Sequence, residues 1–119
     1  MEVTKAQIAK GLAKFIQEDM LPHVDDKGMQ FILGVASGAI DANPQALDKL
    51  LDNPLFAMAA KSGNNYDLSV LKRSASATIE KYGKLEITVP GIKFLSPADK
   101  VFQFSKEDIE RLVSRIEGS

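Results

Sequence analysis

Along Tyr82-Gly83-Lys84-Leu85-Glu86-Ile87-Thr88-Val89-Pro90-Gly91 the sequence changes from a helical period to a strand period. Just upstream, Leu68, Leu71, Ala75, Thr78, Ile79 and Tyr82 recur every three or four positions. That is the period of an α-helix. From Lys84 the period falls to two: Leu85, Ile87 and Val89 alternate with Lys84, Glu86 and Thr88. Side chains on a strand alternate between faces, so this pattern predicts a half-buried strand. Gly83 stands at the change, where a helix end favours a residue free to take positive φ. The chain therefore reads as α+β.

Downstream, Pro90-Gly91 turns the chain and Ile92 and Phe94 continue the alternation. A second turn at Ser96-Pro97-Ala98-Asp99-Lys100 leads to a strand from Val101 to Phe104. These segments predict a three-stranded antiparallel meander. Pro-Gly suits a type II turn rather than a tight hairpin, so a bulge or longer loop is expected there. Ser105 caps a last helix, with Asp108 completing a variant capping box and Ile109, Leu112, Val113 and Ile116 as its inward face.

Upstream, Thr4 and Gln7 form a capping box for a first helix carrying Ile8, Leu12, Phe15, Ile16 and Met20. Pro22 closes it. Asp25 or Asp26 starts a second helix whose stretch Met29 to Ile40 is apolar on nearly every face. A helix apolar all round is expected to be buried all round, so this one reads as the central helix. Asn43-Pro44 and Asn53-Pro54 each pair an N-cap with a proline at the first helical position. They predict short helices at 44–52, with Leu47, Leu50 and Leu51, and at 54–61, with Leu55, Phe56, Met58 and Ala59. Ser62-Gly63-Asn64-Asn65 reads as a turn before the helix capped by Asp67. The expected layout is about five N-terminal helices, a three-stranded antiparallel meander and one C-terminal helix, in a single domain over 1–119.

Composition narrows the chemistry. The chain has 119 residues, 15 Lys+Arg against 16 Asp+Glu, no Cys, no Trp and one His. Thiol catalysis, disulfides, cysteine metal centres and any site with two His ligands are excluded. The length suffices for one hydrophobic core without a staple. No signal peptide is expected, because Met1 leads directly into an amphipathic pattern, and Met29 to Ile40 is too short to span a bilayer. The absence of Cys is compatible with a reducing cytoplasm.

Each candidate site has a plainer structural reading beside it. His23 lies in Pro22-His23-Val24-Asp25-Asp26, where a His–Asp pair for proton transfer competes with an ordinary solvated loop. Asp41, Asp48 and Asp52 could gather oxygen ligands for a cation, but no calcium-loop spacing is present, and capping explains them. No metal and no cofactor is expected. Gly34 and Gly38 form a G-x-x-x-G that allows close helix approach, either within the chain or between copies. Phe102 and Phe104 project from one side of their strand, as core or as a self-association surface.

The segment 61–84 carries five cations and two acids, a local charge of +3 against −4 for the rest. Short helix, turn, longer helix and hairpin follow in an order similar to a winged-helix domain, over 61–104. That resemblance implies a nucleic-acid surface at Lys72, Arg73, Ser76, Lys81 and Lys84. The favoured expectation is a non-enzymatic interaction or structural domain of bacterial or phage type, self-associating or bound to a protein partner. The alternative is a nucleic-acid-binding protein.

Overall fold

A computed structural model describes the backbone of all 119 residues and every side chain except those of Leu55 and Phe56. The expectation for those two therefore lies outside the described residues. Strand β1 (Glu2–Thr4) leads into α1 (Lys5–Phe15), which continues as a π-helical turn (Ile16–Met20) and a 3₁₀ turn (Leu21–His23). Helix α2 spans Lys27–Ala42. A 3₁₀ turn (Pro44–Leu47), α3 (Asp48–Leu51) and α4 (Pro54–Ala60) follow. Strands β2 (Lys61–Ser62) and β3 (Asn65–Asp67) precede α5 (Leu68–Tyr82). The chain ends with β4 (Leu85–Val89), β5 (Lys100–Phe104) and α6 (Lys106–Glu117).

The class is α+β, with six α-helices, the last of them C-terminal, and a three-stranded antiparallel sheet. The local signals act where the sequence places them. The Thr4–Gln7 and Ser105–Asp108 capping boxes both form. Asp26 accepts hydrogen bonds from Gly28 N and Met29 N at the start of α2, and Asp67 accepts one from Ser69 N. Gly83 ends α5 in the left-handed region at φ +80°, where a Cβ would be strained. Asn43 precedes its helical turn without making a side-chain cap.

The strands are arranged differently from the expected meander. The three-stranded sheet has the order β1-β3-β2, with Val3 opposite Tyr66 and both buried. Residues 85–104 form a separate two-stranded hairpin, in which Leu85 pairs Phe104 and Ile87 pairs Phe102. Ile92 to Phe94 do not form a third strand. Only Ile92 and Ser96 make an isolated bridge, and the Ile92 carbonyl accepts from both Leu95 N and Ser96 N at 2.9 Å. Phe94 takes φ +75° within this turn. Two carboxylates compete successfully with strand pairing: Asp99 accepts from Gly91 N at 2.8 Å, and Asp26 accepts from the Ser96 hydroxyl. The loop is thereby pinned to the start of α2.

The centre of the molecule is α1, not α2. It contributes to both apolar clusters, Ile8 and Ala9 to one and Phe15 to the other. Small residues make this possible: Ala9, Gly11 and Ala13 are buried in α1, so neighbouring backbones approach it closely. Helix α6 lies against it, burying Ile109, Val113 and Ile116. Burial of such side chains contributes roughly 2 kcal/mol each. Helix α2 buries only Met29, Leu33 and Ser37.

Candidate interaction surface

Met29, Leu33, Ser37 and Ile40 point α2 towards the core, and Gln17 donates to the Ser37 hydroxyl at 3.1 Å. On the opposite side stand Phe31, Gly34, Val35, Gly38 and Ala42, all exposed. Their spacing of three and four residues makes them one helix face. Phe31 is 60% exposed and Val35 55%. A Cβ added at Gly34 or Gly38 would meet nothing within 4 Å. The central position expected for this helix is thus corrected: its second apolar face has no partner among the described residues. The glycines do not pack against a neighbouring helix of the same molecule.

Around the edge of α2 the apolar surface continues into a groove of about 280 Å³. It is lined by Ile32 and Ala36 of α2, Ile87 and Val89 of β4, and Phe15 and Ile16, among others. The opposed hairpin rim is also exposed, with Ile87 half accessible. Contiguous apolar surface of this kind is uncommon on a monomer unless something covers it.

The expected association residues separate into two groups. Gly34 and Gly38 lie on the open face. Phe102 is buried and Phe104 half-buried, in the core. Phe104 lies 5.9 Å from the Phe15 ring and 6.3 Å from that of Phe102. Their neighbour Val101 takes the exposed side of the strand.

The cations at 61–84 are not brought to one surface. Lys72 and Lys81 lie on opposite sides of α5, with Ser76, Glu80 and Arg73 between them around the helix. Glu80 accepts from Lys106 at 2.7 Å, which holds its carboxyl below the usual range. Lys84 pairs with Glu86 at 2.8 Å. The turn between α4 and α5 is the β2–β3 hairpin, in place of a helix-turn-helix connection.

Two polar clusters serve to join elements. Asp52 accepts from Lys61 at 3.2 Å and from the buried Tyr66 hydroxyl at 3.0 Å. The Lys61 and Tyr66 hydrogen bonds hold the Asp52 carboxyl low, while burial and Asp52 push the Tyr66 hydroxyl up. Lys5 pairs with Asp48. Asp41 stands apart on α2, so the three aspartates do not converge, and no metal-holding cluster occurs among the described residues. Arg115 bridges Glu18 at 2.6 Å and Asp19 at 3.3 Å, fastening α6 to the π-helical turn. His23 is exposed and makes no hydrogen bond or ion pair with the described residues. No helix is long and apolar enough to cross a membrane among the described residues.

Compared with known proteins, the chain matches no family model, no curated protein and no solved structure.

Proposed function

We propose that the protein is a non-enzymatic interaction module that associates with copies of itself through the outward face of α2. The observation that carries this reading is the pairing of exposed Phe31 and Val35 with the open glycines 34 and 38 on one helix face. Apolar area removed from water stabilises association by about 25 cal/mol per Å² before entropic costs are counted. Glycines let a second backbone come close enough to cover such a face. The apolar character of this face supports the reading, and no metal-holding cluster occurs among the described residues.

Sedimentation velocity from micromolar to near-millimolar concentration tests this. The chain is expected to shift from monomer to dimer. Phe31→Asp is expected to remain monomeric with an unchanged circular dichroism spectrum, because the side chain is exposed in the monomer. A monomer at every concentration removes the proposal, and so does a dimer that Phe31→Asp leaves intact.

A further inference from the structure

Helix α2 carries two charges on its open face, and both sit at the wrong end. Lys27 occupies the first helical position and Asp41 the last turn. A helix N-terminus favours negative charge and its C-terminus positive charge, so each is disfavoured by the dipole of its own helix. Both are exposed. Neither forms an ion pair with any described residue. Between them the face is uncharged: Phe31, Gly34, Val35 and Gly38.

The spacing Lys27, Phe31, Gly34, Gly38, Asp41 alternates four and three residues, which keeps one seam along a helix facing a partner. Gly34 is the midpoint of Lys27 and Asp41. We infer that α2 pairs antiparallel with α2 of a second copy about a two-fold axis at Gly34. This rests on the self-association proposed above and specifies its geometry.

The inference follows from complementarity. A two-fold axis at Gly34 sets Lys27 of each copy opposite Asp41 of the other, so both misplaced charges find an opposite charge and the opposite helix end. It brings each Phe31 within one residue, about 1.5 Å along the axis, of the level of the other copy's Gly38. The largest side chain of the face thus meets a position without one. Gly34 meets its own copy at the axis, where only small residues permit close approach. A parallel pair would place Lys27 against Lys27, Asp41 against Asp41 and Phe31 against Phe31. Helix α2 is about 24 Å long, so the pair is a small interface.

Cysteine cross-linking tests the alignment, because the chain has no Cys of its own. Gly34→Cys is expected to give a covalent dimer on mild oxidation, since the axis brings its two Cα atoms into disulfide range. Lys27→Cys alone is expected to stay uncoupled, its copies being about 21 Å apart along the axis. A mixture of Lys27→Cys and Asp41→Cys chains is expected to form the mixed dimer. Charge reversal gives an independent reading. Lys27→Asp and Asp41→Lys should each weaken association roughly tenfold, and the double variant should restore it. Circular dichroism is the check that each variant folds, and sedimentation the check for dimer in the unmodified chain. Cross-linking of Lys27→Cys with itself, no cross-link at Gly34→Cys, or a double variant that fails to recover would overturn the antiparallel alignment while leaving self-association in place. A chain that stays monomeric removes both.

Discussion

Replacing Gly11 with alanine probes the tightest point of the fold. A Cβ at Gly11 would lie 2.5 Å from Ile116 Cα and 2.6 Å from Ile116 N and Cγ1. Carbon atoms at rest stand about 3.5 Å or more apart, so α1 and α6 would have to part by about 1 Å. Two of the three obstructing atoms are backbone, so a rotamer change cannot relieve the clash. Overpacking of this kind costs about 3 kcal/mol at the upper end of its usual range. Alanine recovers about 1 kcal/mol through its higher helix propensity. The net loss is about 2 kcal/mol, which lowers the melting temperature by about 8 °C in a chain of this length. Gly34→Ala supplies the control. Its Cβ would meet nothing within 4 Å, so only the propensity gain remains, and the monomer should be stabilised by about 0.5–1 kcal/mol. Urea unfolding followed by circular dichroism, at concentrations below any association, reads both. A Gly11→Ala chain as stable as the parent would refute the close crossing of α1 and α6.

Other perturbations reach separate parts of the account. Asp26→Ala removes the α2 cap and leaves the buried Ser96 hydroxyl without its carboxylate, so the urea unfolding midpoint is expected to fall. An unchanged midpoint would show that the 90–99 loop is not pinned there. Ser96 holds the Asp26 carboxyl below its ordinary value, and Lys61 and Tyr66 do the same for Asp52. A carboxyl depressed in the folded state contributes stability that is complete above the unfolded value of about 4 and lost as pH falls through the folded one. The unfolding midpoint is therefore expected to drop between neutral pH and about pH 3, less steeply in Asp52→Asn, and a flat profile would contradict this. Duplex DNA at low salt, where phosphate contacts are strongest, should show no shift. A shift abolished by Lys72→Ala/Arg73→Ala would reopen the nucleic-acid reading.

Much of the helical frame is legible because caps and turns act locally. Thr4 with Gln7, Ser105 with Asp108, Asp26, Asp67 and Gly83 each fix a boundary through groups only a few residues away. The sheet is less legible. Strand β1 is three residues long and finds β3 more than 60 residues later, so no period marks it. Ile92 and Phe94 show the converse: their alternation is real, but Asp26 and Asp99 capture the loop through hydrogen bonds that no local pattern encodes.

The choice of central helix turns on size rather than hydrophobicity. Helix α2 is the more apolar, but Ala9, Gly11 and Ala13 let α1 be approached from several sides. A helix apolar all round also gives no phase. Gly34 and Gly38 could therefore be singled out as a contact, while the face they occupy and its freedom from intrachain partners needed the tertiary structure. Met58, assigned to an apolar helix position, is 85% exposed for a related reason: α4 is too short for its pattern to fix an inward face.

Isotope-filtered NMR on a mixture of labelled and unlabelled chains reads the α2–α2 contact itself. Cross-peaks between copies linking the Phe31 ring to the Gly38 α-protons are expected at concentrations where sedimentation shows dimer. Cross-peaks from another surface, or none in a dimeric sample, would contradict the assignment of α2 as the interface.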